Sequence, residues 1–235
     1  NKTTKKKYNI EFVSANPTGP LHVGHCRGAI LGDALSNILT FNGNKVTKEY
    51  YVNDYGSQIN NFITSVYHRI LEILKKKPFP NHENLYPGDY VIDIAKKIIK
   101  EKSINRFDNF EKIYKKLSSE SLKISMQTIR KNLNLLGVKH DYFIYESNLI
   151  KKDMVSKAVN KLKKKNYVYR GKLKPPKGET VTNWKTRNQL LFKSSIFGDD
   201  IDRALQKEDG TWTYFAGDIA YHSNKISRKF DVLIN

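Results

Sequence analysis

Residues 8–20 read YNIEFVSANPTGP, and this stretch decides the fold. Apolar and polar side chains alternate from Tyr8 to Val13 with the period of a β-strand. Between Asn16 and Pro20, two prolines and a glycine interrupt regular structure and predict a loop. The sequence therefore predicts a strand that runs directly into a loop near the start of the chain.

A helix and a second strand follow this loop. The helix is predicted from about Val23 to Phe41, and Asn42-Gly43-Asn44 supplies its C-terminal stop. The side chains expected on its buried face are Ala29, Ile30, Ala34, Leu35, Ile38 and Leu39. Residues 46–52 read VTKEYYV and predict the second strand. Two strands joined by a helix of this length indicate a right-handed βαβ unit, so the predicted fold class is α/β with a Rossmann-like parallel sheet.

The rest of the chain reads as a long insertion and a return to the sheet. The predicted domains are the first half of the Rossmann-like domain at 1–60, an insertion at 61–194, and the start of the second half at 195–235. The insertion is mostly helical and is β-rich near 167–197, with helices predicted near 59–74, 88–102, 110–136 and 152–165. The elements predicted after it are a strand at 212–215, a helix that opens at Asp218 and a strand at 230–234.

Net charge is the strongest compositional feature. Lys and Arg number 42 against 23 Asp and Glu, which gives +19, and residues 61–170 alone hold 24 basic against 11 acidic residues. A field of this sign attracts polyanions, of which nucleic acid is the usual one. A codon bias that enriches Lys, Asn, Ile and Tyr explains the same excess, so charge alone leaves contact with RNA open.

Composition also excludes several classes of protein. The 14 Tyr and 11 Phe argue against a disordered tail. The longest apolar runs are a few residues, so no membrane span is expected, and the lysine-rich start lacks the apolar core of a signal peptide. Cys26 is the single cysteine, which excludes a disulfide framework and a Cys-based zinc site, and no protein-bound zinc is expected. The expected setting is the cytoplasm.

His22-Val23-Gly24-His25 lies where the first strand leads into the first helix. That position is the carboxyl edge of a parallel sheet, where N–H groups and the helix dipole attract phosphate. Gly24 has no side chain, so a flat base could pack on its backbone, and both imidazoles can donate to anionic oxygen. The arrangement suits stabilisation of a phosphoryl transition state. A chance histidine pair at a helix start is the structural alternative, and a zinc site would need further ligands.

Residues 11–25 (EFVSANPTGPLHVGH) closely resemble the signature region of the class I aminoacyl-tRNA synthetases, and within them the arginyl-tRNA synthetases. The resemblance continues in RGAILGDA (27–34), YYVNDYGSQ (50–58), FGDDIDR (197–203) and DGTWTYFAGDIAYH (209–222). Several matches in the right order are far more specific than one motif, although 75–135 matches poorly. The resemblance implies a class I synthetase catalytic core that is split by the insertion.

Specific roles follow from this resemblance. It implies that ATP is bound by His22, Gly24 and His25, with both histidines catalytic. Phosphate chemistry implies that Mg²⁺ accompanies the ATP. It implies that arginine is bound by Asn16 at the α-amino group, by Tyr214 and Asp218 at the guanidinium, and with less support by Glu146 and Glu11. The chemistry agrees, because a planar fork of five donors suits a carboxylate with a hydroxyl beside it. The implied substrates are L-arginine, ATP and tRNA(Arg), the tRNA being bound before the adenylate forms.

Other interpretations remain open for several residues. Tyr214 as a core aromatic with Asp218 as an N-cap is the structural alternative for that pair. Asp199, Asp200 and Asp202 are expected to form a structural turn with Arg203 as their partner, and the role of Asp54 is open. The alternatives for the whole chain are a nucleotidyltransferase with the same histidine motif, or an inactive RNA-binding synthetase paralogue.

The chain departs from the family pattern in one respect. The lysine-bearing loop that clamps the triphosphate in class I synthetases does not occur within the 235 residues, and neither does the helical anticodon-binding domain. We therefore expect a fragment of a larger enzyme, inactive alone and monomeric.

Overall fold

The βαβ unit predicted from the start of the chain is present in the computed structural model, which describes residues 4–104, 106–173 and 187–235. In chain order the elements are β1 (Lys7–Glu11), α1 (Val23–Phe41), β2 (Lys45–Val52), α2 (Ser57–Lys75), α3 (Asp89–Glu101), α4 (Phe110–Leu135), β3 (Tyr142–Tyr145), α5 (Glu146–Lys151), α6 (Met154–Lys164), β4 (Val168–Lys172), β5 (Asn188–Phe192), a 3₁₀ helix (Ser194–Phe197), β6 (Arg203–Gln206), α7 (Tyr214–Ser227) and β7 (Val232–Ile234). The chain divides into two units, residues 1–145 with 231–235 and residues 146–230.

The first unit contains a four-stranded sheet with the order β3-β2-β1-β7. Every pairing in it is parallel, and β1 pairs with β2 from Lys7 opposite Lys45 to Glu11 opposite Glu49. Because these two central strands run in the same direction and in register, the loops that leave them emerge side by side at the carboxyl edge. The α/β fold class with a parallel sheet is confirmed.

Helix α1 approaches the sheet through small residues. Its buried side chains are Ala29, Gly32 and Ser36, and a Cβ added to Gly32 would lie 2.2 Å from Cγ of Phe12. The predicted burial of Ile30, Ala34 and Ile38 is therefore wrong, and Ile30 and Ile38 are 58% and 59% exposed. Close packing against Phe12 selects the face without bulky side chains, whereas the apolar period alone favoured the larger ones.

The long helices of the first unit build a separate apolar core. Helices α2, α3 and α4 match the predicted helices near 59–74, 88–102 and 110–136. Their fully buried side chains include Phe62, Ile63, Val91, Ile98 and Leu117. These helices therefore have a core of their own beside the sheet.

The second unit combines helices with a three-stranded antiparallel sheet of order β4-β5-β6. Val155, Val159, Leu205, Ala216 and Ala220 form its buried core, which α6, β6 and α7 share. Strands β4 and β5 lie within the β-rich stretch predicted near 167–197, of which residues 174–186 fall outside the described residues.

Two predictions for the second unit are wrong. Residues 212–215 do not form a strand, since only Trp212 makes an isolated bridge, to Gln206. Thr213 is the N-cap of α7, and its side chain accepts a hydrogen bond from the backbone N–H of Ala216. Because the cap starts the helix at Tyr214, Asp218 lies one turn inside α7 and does not open it.

Within the ranges that the structure describes, no helix is both long and apolar enough to cross a bilayer.

Candidate functional site

The loop from 12 to 22, here called the β1–α1 loop, connects the end of β1 to the start of α1 at the carboxyl edge of the parallel sheet. It carries Asn16 and His22, and Gly24 and His25 follow in the first turn of α1. Three residues expected to bind ATP and one expected to bind arginine therefore lie in a single loop and the first turn of the helix that follows it.

His22 and His25 cap α1 reciprocally. The backbone N–H of Gly24 donates to Nδ1 of His22 at 3.1 Å, and the backbone N–H of His22 donates to Nδ1 of His25 at 3.2 Å. The two rings stack with their centroids 3.7 Å apart. Because a backbone N–H can only donate, both Nδ1 atoms are acceptors, and the neutral rings carry their protons on Nε2. Each ring can thus donate through Nε2–H.

The electrostatics of this turn agree with a neutral imidazole at His25. Burial lowers the pKa of His25, and the neighbouring His22 lowers that pKa further. Gly24 permits the arrangement, because a Cβ there would lie 3.0 Å from Cε1 of His22. The small residue at 24 therefore makes room for the His22 ring as well as for any bound group.

A strained backbone begins the β1–α1 loop. Val13 and Ser14 have φ of +71° and +42°, values that are uncommon for non-glycine residues and costly for a β-branched one. Ser14 Oγ donates to Oε1 of Glu11 at 2.9 Å and accepts from the backbone N–H of Tyr51 at 3.0 Å. Glu11 therefore takes part in bracing this turn, and its role in binding arginine stays a prediction.

The buried Tyr50 and the half-buried His140 both contact the β1–α1 loop. The Tyr50 hydroxyl donates to the carbonyl oxygen of Ala15 at 2.8 Å, and burial raises the pKa of Tyr50. Nε2 of His140 lies 3.3 Å from the carbonyl oxygen of Phe12, and the two rings pack at 4.3 Å. Burial lowers the pKa of His140 to about 4. The β1–α1 loop is therefore contacted by the neutral imidazole of His140 and the protonated phenol of Tyr50.

Asn16 is held by a hydrogen bond to the first turn of α2. Its Nδ2 donates to Oε1 of Gln58 at 2.6 Å. Gln58 is the second residue of α2, which follows β2 through Gly56 at φ +98° and ψ −173°, a conformation essentially restricted to glycine. The turn at Gly56 therefore sets where Gln58 meets the β1–α1 loop.

A cavity of about 240 Å³ lies behind the loop within the first unit. Gly19 and Pro20 of the loop, Tyr90 and Lys97 of α3 and Thr128 of α4 contribute to its wall. None of the residues that the sequence singled out lines this cavity.

Tyr214 and Asp218 belong to the second unit, one turn apart on α7. The i,i+4 spacing puts them on the same face of the helix. Tyr214 is 74% exposed, so it is not a core aromatic, and Asp218 is not an N-cap because Thr213 is. The structural alternative for this pair is therefore excluded.

Glu146 begins α5 and is only 6% exposed. A carboxylate this buried needs compensating partners, and the structure gives it at least one interaction. It too belongs to the second unit. Its assignment to the arginine pocket stays a prediction.

The acidic cluster after the 3₁₀ helix is structural, as expected. Nε and one terminal amine of Arg203 donate to the two carboxylate oxygens of Asp199 at 2.7 and 2.8 Å, and these bonds lower the pKa of Asp199 to about 2. Asp202 accepts from the Ser195 hydroxyl at 2.6 Å and the Tyr169 hydroxyl at 2.7 Å. No cluster of three His, Cys, Asp or Glu suited to a metal occurs in the described ranges.

Four supporting residues escaped the sequence analysis, namely Ser14, Tyr50, Gln58 and His140. Ser14, Tyr50 and Gln58 lie in stretches that match the family, but the match gives no role to them. His140 carries no local signal, because it reaches Phe12 across 128 positions.

Comparison with known proteins decides the family. The family described as tRNA synthetases class I (R), catalytic domain, matches residues 1–235. The chain belongs to this family. It is 59% identical over 236 residues to an arginine–tRNA ligase of Pelagibacter ubique and 52% identical over 230 residues to one of Anaplasma marginale. These matches cover 100% and 97% of the chain but 41% and 39% of the relatives.

Solved structures give the same fold for this class I catalytic domain. A Campylobacter jejuni structure assigned to the arginyl-tRNA synthetases is 32% identical with a TM-score of 0.84, over 99% of this chain and 47% of that one. The Plasmodium falciparum arginyl-tRNA synthetase, at 18% identity and a TM-score of 0.60 over 94% of this chain and 35% of that one, shares the fold. The chain spans about two fifths of the curated relatives that it matches.

Proposed function

We propose that this chain is the catalytic core of an arginine–tRNA ligase. In the first reaction the carboxylate of L-arginine attacks the α-phosphorus of ATP, which forms arginyl-adenylate and releases pyrophosphate. In the second reaction a hydroxyl of the 3′-terminal ribose of tRNA(Arg) attacks the acyl carbon, and AMP leaves. The observation that carries the proposal is the pair of histidines that cap α1 and direct Nε2–H donors from the carboxyl edge of the sheet.

The ATP side of the reaction is assigned to the first turn of α1. An entering phosphate meets the positive end of the helix dipole and the Nε2–H groups of His22 and His25. Donors that are already oriented stabilise charge as it develops on the α-phosphate, without covalent chemistry. Mg²⁺ arrives as part of the substrate, on the phosphates of ATP.

The arginine side is assigned to two groups of residues. Oδ1 of Asn16 accepts from the α-ammonium group, while Tyr214 and Asp218 receive the guanidinium through a hydroxyl and a carboxylate. Glu146 and Glu11 are assigned secondary roles in binding arginine. Exposure of Tyr214 and the shared helical face of the pair support this assignment.

The remaining assignments concern the whole enzyme. The basic excess of residues 61–170 supports contact with the tRNA, the third substrate. We assign residues 1–60 and 195–235 to a Rossmann-like domain that residues 61–194 interrupt, with β3 of that interruption adding an edge strand to the parallel sheet. The enzyme is proposed to act as a monomer in the cytoplasm, where charged tRNA is consumed.

Amino-acid-dependent exchange of pyrophosphate into ATP tests this function. A full-length polypeptide that contains residues 1–235 should exchange labelled pyrophosphate into ATP when arginine and tRNA are present. The exchange should be much slower when lysine or glutamine replaces arginine. Citrulline is the matched control, because it has nearly the shape of arginine without the positive charge. Arginine, but not citrulline, should also raise the melting temperature. Exchange without any amino acid would favour a nucleotidyltransferase, and RNA binding without exchange an inactive paralogue.

A further inference from the structure

The contact between Asn16 and Gln58 joins the β1–α1 loop to the first turn of α2 at the carboxyl edge of the sheet. The bond runs from Nδ2 of Asn16 to Oε1 of Gln58 over 2.6 Å and connects residues 42 positions apart. Neither segment fixes this contact alone, because Asn16 lies in the loop after β1 and Gln58 lies in the helix after β2. Parallel pairing of these strands brings the two segments together, and the turn at Gly56 sets the start of α2.

The direction of this hydrogen bond determines what Asn16 can offer to a ligand. A carboxamide has a donor amine and an acceptor oxygen in one plane, on either side of the bond from Cβ to the amide carbon in asparagine. Because Oε1 of Gln58 accepts from Nδ2 of Asn16, the Asn16 amide is held with Nδ2 toward Gln58 and Oδ1 away from it. An ammonium group has three donors and no acceptor, so Oδ1 is the atom of Asn16 that it can use.

The geometry points to Gln58 as a positioning residue for recognition of the substrate α-amino group, an assignment that rests on the proposed function. Gln58 acts through Asn16 and does not touch the amino acid. Its Oε1 holds Asn16 in the orientation that accepts from an ammonium group. In its absence the Asn16 amide rotates, and part of the free protein presents the donor side, which repels the ammonium. The population of competent enzyme falls, and the apparent affinity for arginine falls with it.

Two substitutions at Gln58 separate this role from general support of the fold. Gln58→Leu keeps the approximate size and removes the acceptor, whereas Gln58→Glu keeps an acceptor and cannot donate. In the full-length polypeptide we expect Gln58→Leu to raise the KM for arginine about threefold to tenfold, the equivalent of one hydrogen bond, with little change in kcat or in the KM for ATP. Gln58→Glu should keep the KM for arginine within about twofold of the original. Because Gln58 is exposed, both variants should fold.

The decisive readout uses 5-guanidinopentanoate, which is arginine without its α-amino group, as a competitive inhibitor. If Gln58 acts on recognition of the amino group, Gln58→Leu weakens the binding of arginine but not that of the inhibitor. The ratio of the affinity for arginine to the affinity for the inhibitor therefore falls. The ratio should survive in Gln58→Glu and in the control Ser57→Ala, from the same exposed first turn of α2. A ratio that is unchanged in Gln58→Leu, or lost equally in Gln58→Glu, overturns the inference.

Asn16→Ala distinguishes failure of this inference from failure of the proposed function. If Asn16→Ala shrinks the affinity ratio and Gln58→Leu does not, Asn16 binds the amino group without help from Gln58, and only this inference is overturned. If Asn16→Ala leaves the ratio unchanged, the role of Asn16 is overturned together with that of Gln58. Absence of any arginine-dependent exchange in the unsubstituted polypeptide overturns the proposed function itself.

Discussion

The start of α1 and the start of α7 are both capped by side chains, but they relate capping to chemistry in opposite ways. In α1 the candidate ATP ligands His22 and His25 are themselves the two halves of the cap. In α7 the cap is Thr213, while Tyr214 and Asp218 lie one turn apart on a helix that Thr213 has already started. The candidate ATP ligands are therefore also the cap that stabilises α1. The candidate arginine ligands of α7 take no part in capping that helix.

This difference predicts how substitutions should behave. Removing an α1 histidine takes away a candidate ligand and also leaves backbone groups at the helix start without their cap. Removing the carboxylate of Asp218 takes away a candidate ligand of arginine but leaves the cap of α7 in place. Activity and stability should therefore change together in the first region and separately in the second.

The largest expected effect is that of His25→Ala. Loss of an oriented donor should reduce adenylate formation by roughly two to three orders of magnitude, and loss of half of the capping box should lower the free energy of unfolding by about 0.5–2 kcal/mol. Pyrophosphate exchange and urea unfolding of the full-length polypeptide measure the two quantities.

His82→Ala is the matched control for this prediction. Nδ1 of His82 also accepts a backbone N–H two residues on, from Asn84 at 3.2 Å, but it lies in the connection between α2 and α3. Its removal should leave the exchange rate unchanged. Full exchange activity in His25→Ala would contradict the role assigned to that histidine.

Asp218→Asn should have the next largest effect and should sharpen the contrast between the regions. The amide keeps the size of the side chain and loses the charge that pairs with a guanidinium, so we expect the KM for arginine to rise about 10-fold to 100-fold. Because the cap of α7 stays in place, the midpoint of urea unfolding should fall less than that of His25→Ala. Asp209→Asn removes an exposed acid of the same unit and should leave the KM unchanged. A midpoint as low as that of His25→Ala would show that Asp218 supports α7 as strongly as the histidine cap supports α1.

Local signals in the sequence explain which parts of the fold could be predicted. The bounds of α1 were predicted correctly because a Pro-rich loop precedes it and Asn42-Gly43 ends it. The buried face of α1 was not, because the approach of Gly32 to Phe12 depends on how closely the helix meets the sheet. Thr213 was missed although capping is local, since the apolar run around Trp212 favoured a strand.

The candidate site divides in the same manner. The histidine motif and the spacing of Tyr214 and Asp218 are visible in the sequence, and the family resemblance gave them roles. The contact of Gln58 with Asn16 arises from strand pairing across 42 positions, and that of His140 with Phe12 spans 128. No periodicity encodes such contacts, because they exist only once the sheet has formed.

The last expected effect concerns the pH dependence of stability and should be confined to the first region. His140 packs against Phe12 and Tyr50, with ring centroids 4.3 and 5.4 Å apart, and burial lowers its pKa to about 4. In the unfolded chain the pKa of histidine is about 6.5. Between these values the unfolded chain binds more protons than the folded one, so stability decreases as the pH falls.

This pH dependence can be isolated by substitution. From pH 7.5 to pH 5 the His140 contribution should lower the free energy of unfolding by about 2 kcal/mol. His140→Gln keeps an N–H donor for the Phe12 carbonyl oxygen and does not titrate, so that increment should disappear from its pH profile, whatever its stability at pH 7.5. Carboxylates with a lowered pKa, such as Asp199, lose their contribution to stability at lower pH. That loss is the same in the unsubstituted protein and in His140→Gln. Parallel profiles for the two proteins in urea unfolding would mean that His140 becomes protonated in place, and that the β1–α1 loop does not require a neutral imidazole beneath it.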